Sequence, residues 1–559
     1  MSWRILLPQL AQAWRAVAAG REPVLPEAGT SFRRWAEQLR QRAAGDEARA
    51  ELPWWEATVR DQPPRLAAGA LDSSRDTART RRSITVRTPG GPTAALLTTL
   101  PAAFRAGPDE VLLTALALAI AEWRPAGGGA LLVDVESHGR HASDERADLS
   151  RTVGWFTGVY PVRLEAGGVG DGGDGAVAEA VKAVKEQLRR VPGDGLGFGL
   201  LRYLAPEPSE VLVRADLPEV CFNYLGRIAG PGGAAEPWSP SATGRDVRGG
   251  TDPDAPMSYA VEFNAVAEDG GGKAGEALEL ATTISWPAGL LDPADVERLA
   301  GAWSRALTRL ADFADRAGLA GRPGAGGRTP SDLPLVALTQ ADIDRLEAGG
   351  RPVADVWPAT PLQEGMLYHH VLDGAGSPEV YAVQLVFDLP DGVDADGLRA
   401  AVRTLLVRHG HLRSAFWYPD SGRPVRVVHD QAPEPPCRVV DLTGAADLGE
   451  RLERLFAEER TRRFDETVAP LLRLVVADTG AGRRRAALTC HHVLLDGWSL
   501  PLLAAELTAA MAAVGGLGGL GGVDDVSDAG GVHEDGYRDY LAWLGRQDRP
   551  AATRAWREM

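Results

Sequence analysis

The sequence predicts an α/β fold in two units, and three observations carry that expectation. Apolar residues recur at helical spacing in some stretches and run as alternating or β-branched strings in others. Both kinds of pattern occur in each half of the chain. Between the halves lies a stretch, Arg316 to Pro330, dense in glycine and proline. With 559 residues, 44% of them hydrophobic, the chain is long enough for several cores, since domains run to about 100–200 residues.

The first predicted helix starts at Ser2, placed to cap it, and carries Trp3, Leu6, Leu7, Leu10, Trp14 and Val17 on one face. Gln9, Gln12 and Arg15 interrupt that face, so the segment does not read as a targeting peptide. Val111 to Ala121, broken only by Thr114 and closed by Glu122, is too short for the roughly 20 residues a bilayer requires and reads as a buried helix. Strands are expected at Ser83–Arg87, Leu131–Val135, Leu278–Ile284, Tyr381–Phe387 and Leu472–Val476. The Gly/Pro stretch reads as a flexible linker, giving a first unit at 1–315, a linker at 316–352 and a second unit at 353–559. A second glycine-rich stretch, Gly515 to Gly531, reads as a disordered surface insertion, because helical pattern resumes at Tyr537.

Composition removes several classes of function. A net charge of −16 without long runs of one sign argues against nucleic acid, whose phosphates call for clustered Lys and Arg. No stretch suggests a membrane span. The three cysteines, Cys221, Cys437 and Cys490, fit neither a disulfide framework nor a paired zinc motif, and a reducing cytoplasm is the expected compartment.

A short repeat links the halves. Ser499-Leu-Pro-Leu-Leu503 followed by Tyr537-Arg-Asp-Tyr-Leu-Ala-Trp543 matches Ser2-Trp-Arg-Ile-Leu-Leu7 followed by Phe32-Arg-Arg-Trp35. Each copy then reaches a Trp-Xaa-Glu, at Trp54-Trp55-Glu56 and Trp556-Arg557-Glu558. The first copy therefore begins just after the point at which the second carries a distinctive string, His491-His492-Val-Leu-Leu-Asp496-Gly497.

That string is the strongest chemical signal in the chain. Arg485–Cys490 reads as a strand leading into the two histidines, and Asp496-Gly497 breaks the run before a helix that Ser499 is placed to cap. Neighbouring strand residues point to opposite faces, so one histidine faces a cleft and the other packs. The residues alone leave three readings open: core histidines satisfied by the backbone, a metal site built from His, His and Asp, and a histidine that orients or deprotonates an amine near neutral pH. The divergence of adjacent side chains and the lack of a further ligand cluster weigh against the metal.

The full string His-His-Xaa3-Asp-Gly-Trp-Ser resembles the signature of condensation domains in nonribosomal peptide synthetases. Trp357-Pro-Ala-Thr-Pro-Leu-Gln363-Glu-Gly-Met-Leu-Tyr368-His369 is similar to that family's opening motif, and Arg408-His-Gly-His-Leu-Arg413-Ser-Ala-Phe416 to its second. The first half resembles the C-terminal part of an epimerisation domain, a relative with the same fold. Its matching strings are Val135-Glu136-Ser137-His138-Gly139-Arg140, Arg151-Thr-Val-Gly-Trp155-Phe-Thr-Gly-Val-Tyr160-Pro161, Gly193-Asp-Gly-Leu-Gly-Phe198-Gly199 and Phe222-Asn223-Tyr224-Leu225-Gly226. Ser137 stands where that family has glycine, and His141 where it has an acidic residue.

The resemblance implies chloramphenicol-acetyltransferase-like lobes, each a mixed sheet flanked by helices, in two incomplete condensation-type domains. It implies His492 as the catalytic residue, with His491, Asp496 and Gly497 supporting it and Arg413 paired to Asp496. In the first half it implies Glu136 as a catalytic glutamate and Asn223 and Tyr224 in the same cleft. His369, His370, His409 and His411 are expected to be surface or packing residues.

The reaction implied is peptide-bond formation between thioesters tethered to phosphopantetheine on carrier domains, in cis or in trans, with other synthetase modules as partners. No directly bound cofactor or metal is expected, and the domain order implies a donor of D configuration. The histidine motif of an epimerisation domain would fall before Ser2, and the second lobe of a condensation domain after Met559. Epimerisation by this chain alone is therefore not expected, and the competing expectation is an inactive fragment that acts only through partner lobes.

Overall fold

The computed structural model describes residues 2–559 except 61, 68, 125–128, 141–146, 168–172, 208, 229–251, 270–277, 323, 373–376, 421 and 515–535. The chain divides into two units, Met1–Arg328 and Thr329–Met559.

In the first unit the strands are β1 (Arg81–Thr88), β2 (Ala130–Ser137), β3 (Gly158–Glu165), β4 (Val220–Ile228), β5 (Val261–Asp269) and β6 (Leu278–Pro287). They form one mixed sheet in the order β1-β6-β5-β4-β2-β3, in which β2, β4 and β5 run parallel and the other neighbours antiparallel. Period-two alternation divides its faces. Val133, Val135, Phe222, Phe263 and Ile284 join the main core with Leu112 and Leu116 of the helix Pro108–Trp123 and with Trp303 of the helix Pro293–Arg316. The first of these helices is apolar on nearly all sides and buried from Glu110 to Ile120, as its sequence predicts. The second starts where Asp292 accepts the Ala294 N–H (2.9 Å) ahead of Pro293.

The residues between carry polar side chains to the other face in two rows. One row is Asp134, Cys221, Glu262, Ser285 and Ser83; the next holds Asn223, Asn264, Thr283 and Thr85, with Glu136 beside Asn223.

The second unit holds β7 (Val353–Pro358), β8 (Ala382–Asp388), β9 (Ser414–Trp417), β10 (Val425–His429), β11 (Cys437–Asp441), β12 (Leu472–Gly480) and β13 (Arg483–His491). They form two sheets, an antiparallel β7-β10-β9 and a mixed β11-β12-β13-β8. Leu472, Leu474, Val476, Ala486 and Leu488 face a core shared with Leu405 and Leu406 of the helix Ala395–Arg408 and Leu503 and Leu507 of the helix Ser499–Val514. All five strands expected from sequence are present within a few residues of their expected limits.

The repeat has a structural counterpart: Ser2–Ala18, Phe32–Ala43 and Asp46–Arg60 are helices, and among the described residues so are Ser499–Val514, Gly536–Gly545 and Arg549–Glu558. Ser2 does not cap its helix, however, because its hydroxyl is spent on the Gly154 backbone (3.0 Å). The apolar face of that first helix is largely exposed, with Trp3 at 70% and Trp14 at 52%.

The segment 316–352, expected to be a flexible linker, is structured on both sides of the division. Gly324 and Gly326 donate their N–H groups to Ala102 O and Ala103 O (2.9 and 3.0 Å), and a Cβ on Gly326 would come within 2.7 Å of the Phe104 ring. Glycine here permits close packing rather than freedom. Further on, Thr339 and Asp342 form a capping box for the helix Gln340–Ala348, and Leu333, Leu338 and Ile343 are buried with Val353, Val356, Val425 and Val427. The Gly515–Gly531 stretch and His141 lie outside the described residues.

Candidate active site

In the second unit β13 carries the two histidines to the end of its sheet, between β12 and β8. The backbone is held on both sides, with His491 N–H donated to Leu471 O (2.9 Å) and His492 N–H to Tyr381 O (2.7 Å). A turn follows, closed by the Leu494 N–H to His491 O (3.1 Å). Val493, Leu494 and Leu495 insert into the core, and the Val493 carbonyl accepts from Gln363 Nε2 (3.0 Å) and from the buried Arg426 guanidinium (2.8 Å). The turn is thus fixed by apolar packing and by two side-chain donors.

Within it the two rings have opposite tautomers. Val493 N–H donates to His491 Nδ1 (3.0 Å), so the neutral ring keeps its proton on Nε2. Leu495 O accepts from His492 Nδ1 (2.7 Å), which leaves the lone pair on Nε2. His491 is fully buried, and burial pushes its pKa down to about 4, so it is neutral at pH 7. His492 is half-buried. Of the pair, His491 packs and His492 offers a proton acceptor, as adjacent positions at a strand end require.

His370, Glu379 and His491 bring three ligand-type atoms within 4.8 Å of one another, all buried. A metal-ligating histidine donates the N–H of its other nitrogen to an acceptor. His491 instead accepts at that nitrogen and holds its proton on the atom facing the cluster, so the donor set does not fit a metal.

Asp496 and Arg413 lie otherwise than the resemblance implies. Asp496 is exposed, and its Oδ1 accepts from Ser499 N (2.9 Å) and Ser499 Oγ (2.7 Å), which caps the helix Ser499–Val514. The Ser499 hydroxyl holds its carboxyl below the usual range. Arg413 donates to Leu406 O and Val407 O (3.0 and 2.8 Å) at the end of the helix Ala395–Arg408 and to His429 O (2.7 Å). Among the described residues the two form no ion pair, because each is engaged by a helix end. Gly497 meets no steric demand, since an added Cβ would find open space.

In the first unit the sheet brings Glu136 and Asn223 together, with Asn223 Nδ2 donating to Glu136 Oε2 (2.7 Å). Burial, and then the charge of Glu262, raises the Glu136 pKa. Tyr224, next along β4, packs against the helix-side core instead, so alternation separates it from the pair. Ser137 Oγ accepts from Gly139 N (3.3 Å), and Arg140 donates to Leu149 O (2.6 Å) and Thr152 O (2.8 Å) over the Phe156 ring. Gly139 is obligatory here: its φ is +64°, and a Cβ would strike Phe156 O at 1.6 Å.

Two groups went unnoticed in the sequence. Asp134 is buried, accepts from Tyr259 Oη (3.0 Å) through Oδ2, and has its pKa pushed up to about 7 by burial. Glu379 is buried behind the histidine turn. Asp134 lies in the expected strand Leu131–Val135, two residues before Glu136, and could have been found by counting alternate residues. Glu379, in an irregular stretch before β8, gave no such signal.

Mixed and antiparallel sheets flanked by helices, one of them ending at the half-buried His492, define the chloramphenicol-acetyltransferase-like α/β class. A profile of the condensation-domain family matches residues 1–307 and 353–556. The chain is 33% identical over 566 residues to a component of the linear gramicidin synthase of Brevibacillus parabrevis, and 26% identical over 569 residues to bacitracin synthase 1 of Bacillus licheniformis. Each alignment covers 100% of this chain and 10% of the relative, so the chain spans about a tenth of their length. Among solved structures, the epimerisation domain from the third module of tyrocidine synthetase B is 26% identical, with a TM-score of 0.47, over 56% of this chain and 66% of that one. The chain belongs to the condensation-domain family, and its curated relatives are nonribosomal peptide synthetase subunits. The resemblance read from the motifs is borne out at that level.

Proposed function

We propose that the chain is part of a nonribosomal peptide synthetase, in which the second unit takes part in condensation and the first is part of an epimerisation domain preceding it. The observation that carries this reading is the His492 ring, whose Nδ1–H is committed to Leu495 O and whose Nε2 is left as acceptor. In the step proposed, the amine of an acceptor aminoacyl thioester attacks the donor thioester carbonyl. The C–N bond forms, the C–S bond breaks, and the amine proton passes by way of Nε2 to the departing thiolate. Both substrates arrive on the phosphopantetheine arms of carrier domains, with other synthetase modules as partners in the cytoplasm. The donor has D configuration, because an epimerisation-type unit comes first in the chain.

Glu136 beside Asn223 supports a proton-holding role in the first unit, but the 559 residues contain one His-His-Xaa3-Asp-Gly string, and it lies in the second. We expect no α-proton exchange from this chain alone. The test uses the full chain with separate carriers loaded with defined acceptor and D or L donor. Dipeptidyl-carrier should form with the D donor preferred, and His492→Ala should lower the rate at least about 100-fold. A rate for His492→Ala equal to the parent overturns the assignment. No turnover with either donor favours the inactive-fragment alternative, in which the chain acts only through partner lobes.

A further inference from the structure

We propose that Glu379 is a positioning residue for the transfer site: it locks the tautomer of His491 and, through the 493–495 turn, that of His492. The proposal rests on the condensation reading for its kinetic consequence but not for its structural one. Glu379 lies behind the turn with its side chain 1% exposed. One carboxylate oxygen accepts from Tyr381 N (3.0 Å), and the Tyr381 carbonyl in turn accepts from His492 N (2.7 Å). The other oxygen accepts from Phe464 N (3.3 Å). Glu379 therefore clamps the segment against which the backbone of His492 is paired.

It also faces the ring of His491. Nε2 of that ring is buried without a hydrogen-bond partner among the described residues, and Glu379 Oε1 is 3.7 Å away. The separation is too long for a hydrogen bond. In a buried setting the carboxylate charge nonetheless favours a proton on the facing nitrogen and disfavours a lone pair there. With the proton on Nε2, Nδ1 is free to accept from Val493 N–H. That bond holds the start of the turn whose end presents Leu495 O to His492 Nδ1. The alternative tautomer of His491 would set Nδ1–H against Val493 N–H and release the turn.

Two further polar groups face the Glu379 carboxylate. Arg473, on β12, is buried and attracts Glu379, and His370 Nδ1 lies 3.7 Å from its second oxygen. His370 Nε2 is in turn within 2.8 Å of Glu466 and 3.1 Å of Arg463 Nε. The role is the one a carboxylate plays behind any histidine whose tautomer matters, with a second histidine and a turn between the two.

The test is nitrogen-15 spectroscopy of histidine-labelled full chain above pH 7.5, with His491 and His492 assigned by substitution, together with transfer kinetics. The parent should show the two rings in opposite, fixed tautomers. In Glu379→Gln the shift difference between the two ring nitrogens of His492 should shrink by at least about half, with kcat down about tenfold and KM within about twofold. His491→Asn keeps an oxygen where Nδ1 sits and should preserve the His492 tautomer, whereas His491→Phe should lose it.

An unchanged His492 signal in a folded Glu379→Gln overturns the proposal and leaves the condensation reading intact. Full turnover by His492→Ala overturns that reading instead, and the spectra still decide the lock. Should Glu379→Gln not fold, the His491 pair decides: a difference between Asn and Phe upholds the lock, and identical spectra overturn it.

Discussion

Asp496 shows how far a motif letter can be from a physical role. Its string identified the family, yet the partner that resemblance assigns to it, Arg413, is occupied at the end of another helix, and the carboxylate caps Ser499. The two roles predict different mutants. If Asp496 acts as a cap, Asp496→Asn should change stability by a few tenths of a kcal/mol, because an amide oxygen accepts the same N–H, while Asp496→Ala should cost about 1 kcal/mol. An ion pair would make both equally damaging, and chemical denaturation of the two variants separates the cases. His492 was legible because its chemistry depends on a residue type at a strand end, which a sequence displays. Glu379 was not, because what matters there is burial beside His491, which depends on contacts among β8, β12, β13 and the helix Pro361–Leu372.

At the scale of the element, the six-stranded sheet of the first unit is decided by alternation. The strands at Ser83, Leu131 and Leu278 could be read from β-branched content, and reading alternate positions of β2 gives Asp134 and Glu136 one face. Their meeting with Cys221, Asn223 and Glu262 required the strand order, which no local pattern contains. The same alternation turned Tyr224 toward the core and away from Asn223. Asp134 has a measurable consequence there. Its folded pKa is raised from 3.8 to about 7, so the folded chain keeps a proton that the unfolded chain releases between about pH 4 and pH 7. Stability is therefore lost as pH rises through that window and levels off above it. Asp134→Asn removes the titration and should stabilise the first unit at pH 8 by on the order of 2 kcal/mol, with the gain vanishing near pH 4. Calorimetry of the full chain at both pH values checks this, and an equal shift at the two would contradict it.

At the scale of the whole molecule, the chain is two α/β units with their own sheets and cores, and no described helix is long and apolar enough to cross a membrane. Composition indicated a boundary near residue 316 and gave the wrong character to the segment around it. Glycine and proline density measures conformational freedom in an isolated chain, whereas the same residues allow close approach once a surface is there to receive them. Gly324 and Gly326 are bonded to Ala102 and Ala103, and the Phe104 ring occupies the space a side chain at 326 would need. A linker would tolerate any residue at that position. Packed as it is, Gly326→Val should overpack the site against Phe104 and cost the first unit roughly 1–3 kcal/mol. Its thermal transition should fall accordingly, and trypsin should cut faster at the Arg328–Thr329 bond, two residues beyond the contact. Unchanged melting and unchanged cleavage would return the segment to a free tether.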